Sequence, residues 1–515
     1  MDFINGIRET LNENFNYSRT ENGALGYRTS GKQLLDLNFA VSSLRNRPEK
    51  EIENRFAKAY FEDPLTAIKW LFYASDVREG LGERRLFRVC LKYLSNNHPK
   101  VVSAIIKLIP EYNRWDNAWV LLKTDHRNEV IDLIRNQLEE DIVNMREKKP
   151  ISLLAKWLKS ANASSKETKE LAKITYTGLG MTERSYRKML SELRKYLKIV
   201  ERDMSANRWK DIDYSTVPSR ANLIYNSAFL RNDEERRRAY LEALERGDEN
   251  VKINAGVLFP HDIVHNYFER LGFRRRRIKP VDTALEQLWN NLPDMVNKEE
   301  DVIVVADGSG SMEQTVSCNS HVTALEIANA LAIYFAERSS GQFKDKYITF
   351  SHRPKLVDFS NADTLRDKLE ISLKYNEVAN TNIEATFMLI LQTAINKNMK
   401  QEELPKTILI ISDMEFDEAT TRCDGRLFKE IMSRFLGAGY QMPKLVFWNV
   451  CSRTGTIPVK ENNLGVALVS GFSPNVIKMV LSNQLDAYEC LLSELNKERY
   501  QPVEDALSDV IIKKV

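Results

Sequence analysis

Apolar positions recur at helical spacing from Lys32 onward. LLDLNFAVSSL sets Leu34, Leu35, Leu37, Phe39, Val41 and Leu44 close enough to build a helix face. PEKEIENRFAKAYFEDP follows, with Pro48 at a helix start and Asp63-Pro64 ending one helix and opening the next. PLTAIKWLFYASDVREG carries Leu65, Ile68, Trp70, Leu71 and Phe72 and stops at Gly80. ERRLFRVCLKYL, KVVSAIIKLIPEY, AWVLLK, NEVIDLIRNQLEEDIVNM and MTERSYRKMLSELRKYL continue in the same way. Strand signals are nearly absent across this stretch. Short amphipathic helices joined by brief turns predict an all-α part, a solenoid of paired helices over residues 1–295. Its first thirty residues, polar and rich in Asn and Gly, read as an arm that orders on contact.

The pattern changes near residue 296. DVIVVADGSGSM opens on Val302, Ile303, Val304, Val305 and Ala306, the length of a buried parallel strand. HVTALEIANALAIYFAERSSG reads as a helix, KYITFSHRPKLVDF as a strand and its continuation, and NADTLRDKLEISLKY as a helix. LPKTILIISDMEFDEA, PKLVFWNVCSR and NNLGVALVSGFS supply further strands, with GRLFKEIMSRFLGAGY as a helix between the first two. Alternating strand and helix predict a doubly wound α/β domain over residues 296–480, its strand-end loops opening on one edge. Residues 481–515 are expected to be a helical tail packing on the preceding domains.

Those loops carry the clearest chemistry. Asp307, Ser309 and Ser311 follow the first strand of the α/β part, and Gly308 and Gly310 between them suit a sharp turn. Thr381 lies on a loop entering the helix near Ile383, and Asp413 follows the strand ILIIS. Carboxylates and hydroxyls converging at strand ends suit a hard cation, Mg²⁺ or another divalent ion. Open α/β sheets place their ligands at this edge. A DxSxS string by itself is also an ordinary short loop; the later Thr381 and Asp413 set it apart. No nucleophile, base or phosphate loop accompanies it, and GxxxxGK[ST] is absent, so the chain reads as non-enzymatic. His321 and His352 read as lone structural or exposed histidines. His261 and His265 copy a zinc-pair spacing in PHDIVHNYF but lack a third ligand, so they too read as structural.

Charge divides the chain. Residues 1–298 hold 52 Lys/Arg against 42 Asp/Glu, and residues 299–515 hold 23 against 30. A basic module joined to an acidic one suits a nucleic-acid binder with a separate metal module. The candidate RNA contacts are Arg78, Arg84, Arg85 and Arg88 around the turn EGLG; Arg184, Arg187, Lys188, Arg194 and Lys195 among tyrosines; and Arg274, Arg275, Arg276 and Arg277 in one run. Arginine and lysine pair with phosphates, and rings stack on bases. For the second group the alternative is a helix whose aromatics are core and whose charges are solvated. The five cysteines are scattered with no CxxC pair, which argues against a zinc ribbon or disulfide scaffold. No run reaches membrane-span length, and the N-terminus lacks a basic end followed by an apolar core. A cytoplasmic location is expected.

The ordered set Asp307/Ser309/Ser311, Thr381 and Asp413 resembles the metal-ion-dependent adhesion site of von Willebrand factor A domains. That resemblance implies that the serines and Thr381 bind Mg²⁺ directly and the aspartates act mainly through water. It also implies one coordination position open to a partner's carboxylate. Asn380-Thr381-Asn382 departs from the glycine-rich threonine loop of that family. Over nearly the whole chain, DPLTAIKWLFYASDVREGLGERR, PEYNRWDNAW, AKWLKSAN, the stretch YRKMLSELRKYLKIVERDMSANRWKDIDYSTVPSRA, ADGSGSM and LVFWNV resemble the Ro ribonucleoprotein family. They resemble still more a related family of plants, fungi, bacteria and viruses. The Ro resemblance implies a HEAT-like helical ring of the TROVE type followed by the A domain. It implies RNA as partner, either single-stranded ends or small non-coding RNA, with no membrane partner. The alternatives are a metal-dependent protein-interaction scaffold without RNA and, third, a Mg²⁺-dependent nuclease.

Overall fold

Val302–Asp307 is buried along its whole length, as a strand covered on both faces must be. It lies inside a six-stranded sheet that positions the loop chemistry. The computed structural model describes residues 15–511 apart from 24, 273–274, 297–300, 318–319, 351–352, 377–382, 417–426, 459–465 and 474–486. The chain divides into two compact units. One, of residues 1–51, 57–62 and 258–494, holds every described strand; the other, of residues 52–56, 63–257 and 495–515, is helical.

The sheet unit contains β1 (Tyr17–Arg19), β2 (Leu25–Tyr27), β3 (Phe268–Gly272), β4 (Arg275–Ile278), β5 (Val302–Asp307), β6 (Lys346–Phe350), β7 (Leu356–Asp358), β8 (Thr407–Ser412), β9 (Lys444–Asn449) and β10 (Val466–Ser470). The main sheet runs β10-β9-β8-β5-β6-β7. All its pairings are parallel except β6 with β7, so the sheet is mixed with one antiparallel edge. From β5 the chain steps to β6 on one side and later returns to β8 on the other. The crevice at the carboxyl ends of β5 and β8 is therefore the point where strand order reverses, the usual ligand position in open α/β sheets.

Helix Ala324–Arg338 is buried from Ala324 through Ala336 and packs on β5, β6 and β8. Helix Gln33–Leu44, which periodicity assigns to the helical part, instead packs on β9 and β10. Ser42 Oγ donates to the Asn449 carbonyl at 3.0 Å, and Asn449 Nδ2 donates to the Phe39 carbonyl at 2.8 Å. The polar arm forms the antiparallel β1–β2 pair, with Tyr27 bridged to Ile457. Helices Pro260–Tyr267 and Thr283–Asn290, with the β3–β4 hairpin, also fall in this unit.

In the helical unit, Asp63 caps helix Pro64–Ser75: its Oδ1 accepts the Thr66 N–H at 3.1 Å, and Pro64 occupies the first helical position. Trp70, Leu71 and Phe72 of that helix are buried, as are Phe87, Cys90 and Leu91 of Arg84–Asn97 and Ile134 of Arg127–Arg146. AWVLLK falls within a 3-10 helix, Trp115–Lys123. Residues 495–515 belong to this unit, and Tyr500 stacks on Tyr112 with ring centroids 5.8 Å apart. No described helix is long and apolar enough to cross a membrane.

Candidate functional site

Asp307 ends β5 and Asp413 follows β8. Parallel pairing of Ala306 with Ile411 brings both to the same sheet edge. Each aspartate makes the same local turn. Asp307 Oδ1 accepts the Ser309 N–H at 2.9 Å, and Asp413 Oδ1 accepts the Glu415 N–H at 3.2 Å. Ser309 and Ser311 Oγ lie 2.8 Å apart, and the Ser311 hydroxyl hydrogen-bonds Asp413. Four of the five residues expected at a cation are thus brought together. Thr381 lies outside the described residues.

Both aspartates are 1 % exposed. Burial, and then the negative charge of Asp307, push the Asp413 carboxyl up to about 7, while the Ser311 hydroxyl and the Glu415 N–H act the other way. Gln314 Nε2 reaches Asp413 Oδ2 at 3.4 Å, and an Arg453 guanidinium nitrogen lies 3.8 Å from it. Two crowded buried carboxylates with adjoining hydroxyls fit a hard divalent cation, whose charge offsets their repulsion. Among the described residues no three His, Cys, Asp or Glu side chains gather, so any such site draws on hydroxyls as well.

The glycines act differently from the sequence expectation. Neither Gly308 nor Gly310 takes positive φ. A Cβ on Gly308 would stand 3.1 Å from Asn376 Oδ1 and 3.2 Å from its Cα, so Gly308 serves close approach. The left-handed residue is Met414, at φ 63, directly after Asp413. Its N–H is held by Ser412 Oγ at 3.0 Å.

Sequence reasoning missed Ser412 and Glu415. Ser412 Oγ donates to Asp307 Oδ2 at 2.6 Å. Glu415, 1 % exposed, accepts N–H groups from Glu21 at 2.8 Å, Arg453 at 2.7 Å and Thr454 at 2.8 Å, and hydroxyls from Ser452 and Thr454. Its position in DMEFDE signals acidity but not burial.

The basic candidates separate by environment. Arg78 is exposed in a turn, and Arg84, Arg85 and Arg88 are half-buried in the first turns of helix Arg84–Asn97. On helix Glu183–Tyr196, Arg184, Arg187, Lys188 and Lys195 are exposed, while Tyr186 is core. Arg194 is a correction to the RNA set. Its guanidinium donates to the Ala155 carbonyl at 2.9 Å, Ser160 Oγ at 2.9 Å and the Leu158 carbonyl at 2.7 Å, which makes it an internal clamp. Arg275, Arg276 and Arg277 lie on β4 in the sheet unit, with Arg277 exposed, and Arg274 is outside the described residues. His265 Nδ1 pairs with the buried Glu326 at 2.7 Å, and His261 packs between Phe259 and Phe472. Cys90, Cys451 and Cys490 are buried free thiols.

Residues 301–510 match the family described as "Domain of unknown function (DUF7788)", and residues 20–114 and 158–301 match "Domain of unknown function (DUF2828)". The chain is 28% identical over 530 residues to "Uncharacterized protein L728" of Acanthamoeba polyphaga mimivirus, spanning 95% of this chain and 89% of the relative. Among solved structures it is similar to the Ro (RSR) protein of Deinococcus radiodurans, with TM-score 0.43 and 12% identity over 86% of this chain and 98% of that one.

Proposed function

We propose that the chain is a non-catalytic RNA-binding protein of Ro-like type. Its basic helical unit carries the nucleic acid and its sheet unit holds a divalent cation. The observation that carries this reading is the division of charge between the units. The helical unit has 41 Lys/Arg against 33 Asp/Glu, and the sheet unit 34 against 39. Phosphate contact favours the first, and a cation the second. The family resemblance of the sequence supports the same assignment, with a HEAT-like helical module and a von Willebrand A-type sheet module.

Ser309, Ser311, Asp307 and Asp413, with Thr381, are the residues that would hold Mg²⁺. When bound, the ion supplies a position for an oxygen ligand from a partner. Asp307 and Asp413 set the local negative charge, and Ser412 and the two Asx turns hold their carboxylates in place. Binding of the full chain to single-stranded RNA across a salt series tests the central claim. Affinity that weakens steeply with salt is expected, and absence of binding at low salt overturns it. RNA incubated with the chain and Mg²⁺ is expected to stay intact; cleavage would establish a nuclease instead.

A second reading rests on the acidic balance of the sheet unit, which disfavours RNA at the cation itself. In that reading the loop captures a protein carboxylate and the chain is an interaction scaffold. Pull-down with and without EDTA, beside Asp307→Ala, separates the two: metal-dependent capture of protein with no RNA copurifying favours the scaffold.

A further inference from the structure

Three parallel strand ends stand side by side at the acidic edge. β5 and β8 bring Asp307 and Asp413 there, and the pairing of Ser412 with Asn449 sets the loop after β9 beside them. That loop carries Arg453. Its backbone is fixed on both sides: the N–H donates to Glu415 Oε1 at 2.7 Å, and the carbonyl accepts from the Arg47 guanidinium. Its side chain is held less firmly. One terminal nitrogen pairs with Glu21 Oε2 at 2.7 Å, and the other lies 3.8 Å from Asp413 Oδ2. Nε is buried with no acceptor among the described residues. A single guanidinium thus spans two carboxylates, close to one and loosely held by the other.

The two carboxylates differ in their surroundings. The Glu21 side chain is 51 % exposed and that of Asp413 1 %. The contact with Glu21 is short but screened by water, and such pairs contribute little. The contact with Asp413 is long but acts where charge is felt more strongly. Neither locks the guanidinium. Gln314, which also reaches Asp413 Oδ2, is neutral, so among the described residues Arg453 is the cationic side chain that meets Asp413.

Glu21 belongs to the arm. Its N–H donates to Glu415 Oε2 at 2.8 Å, Thr20 Oγ1 donates to the Phe416 carbonyl at 2.6 Å, and Tyr27 is bridged to Ile457. The arm is therefore seated on the loops that carry Asp413 and Arg453, all within the sheet unit. A divalent ion held by Asp307, Asp413 and the hydroxyls would bring two positive charges to the place Arg453 faces. It offsets Asp413 better than a guanidinium 3.8 Å away and repels that guanidinium. Glu21 is then the carboxylate left to Arg453, and it feels the field of the ion as well.

We propose that Arg453 is the chain's own stand-in for the cation. Its guanidinium offsets Asp413 when no ion is bound and is given over to Glu21 when one is, so that cation occupancy and docking of the arm strengthen each other. The inference rests on the cation reading above and adds what sets the affinity for the ion and which segment responds to it.

The test is calorimetric titration of the chelator-treated full chain with Mg²⁺, beside hydrogen exchange of residues 17–27 in EDTA and in Mg²⁺. Arg453→Gln removes a competing positive charge and is expected to bind Mg²⁺ tighter, on the order of 10-fold. Arg453→Lys keeps the charge and stays near wild type. Glu21→Gln, an exposed change, leaves the guanidinium to Asp413 and weakens Mg²⁺ binding; in the Arg453→Gln background that weakening shrinks. Mg²⁺ slows exchange of the arm in the wild type and no longer does so in Arg453→Gln. Wild-type binding of Mg²⁺ with unchanged or weaker affinity in Arg453→Gln overturns the proposal, makes Arg453 an ordinary surface ion pair and leaves the cation reading standing. An equal gain in Arg453→Lys, or an equal effect of Glu21→Gln in both backgrounds, overturns it as well. No Mg²⁺ binding by the wild type overturns both readings.

Discussion

Ser412 Oγ donates to Asp307 Oδ2 at 2.6 Å, and the same oxygen accepts the Met414 N–H at 3.0 Å. One buried hydroxyl therefore ties the loop after β5 to the left-handed turn after β8. Ser412→Ala removes a hydrogen bond to a buried carboxylate, worth about 1.5–3 kcal/mol. It also releases the orientation of Asp307. A lower unfolding midpoint in urea and roughly 10- to 100-fold weaker Mg²⁺ binding by titration calorimetry are expected, the range for lost outer-shell partners. Unchanged Mg²⁺ binding in a destabilised variant would separate Ser412 from the cation.

Asp413→Asn tests the crowding of the two carboxylates. The substitution keeps the shape and one acceptor but removes a charge that burial and Asp307 both disfavour. In EDTA the variant is expected to melt higher than wild type. With Mg²⁺ added, the wild type is expected to gain stability and the variant little or none. A variant that melts lower than wild type in EDTA would mean that the contacts to Gln314 and Arg453 outweigh the repulsion.

The sheet and its acidic edge were legible because their signals are local. VIVVA and ILII are uninterrupted apolar runs followed by an aspartate directly or after one serine, and parallel topology brings such ends together. The membership of helix Gln33–Leu44 was not legible: periodicity shows that a face is buried, not what buries it. The same limit hid Arg194, whose charge reads as solvated although its donors meet three groups in residues 155–160. Strand β4 was obscured by its composition, since a run of arginines carries no apolar alternation.

Glu415 predicts a local unfolding event. Its buried carboxylate gathers backbone N–H groups from Glu21 and from Arg453 and Thr454, while Thr20 Oγ1 and Asn22 Nδ2 donate to the carbonyls of Phe416 and Glu415. Glu415→Ala deletes one acceptor shared by several donors, each bond to a charged group worth about 1.5–3 kcal/mol. Hydrogen exchange is expected to speed up in residues 17–27 and 452–456, with β5 and β8 still protected. Equal loss of protection throughout the sheet would show instead that Glu415 supports the whole unit.

Lys69 predicts how strongly residues 495–515 stabilise the helical unit. Its ammonium is buried, with only 4% of the side chain exposed, and donates to Asn496 Oδ1 at 2.9 Å and Glu504 Oε2 at 3.1 Å. Breaking a buried ion pair from one side strands the other charge and costs about 3–5 kcal/mol, whereas replacing both partners by apolar groups is often neutral. Glu504→Leu alone is therefore expected to lower the urea midpoint sharply. Lys69→Met/Glu504→Leu is expected to recover most of that loss. The recovery matters because Glu504→Leu could also act by disturbing the short helix Gln501–Leu507, whose Val503 and Leu507 are core. Damage to that helix would persist in the double variant, whereas a stranded ammonium would not. Circular dichroism melts of the two variants beside Lys69→Met decide between them, with a coupling energy near zero as the result that removes the ion pair from the account.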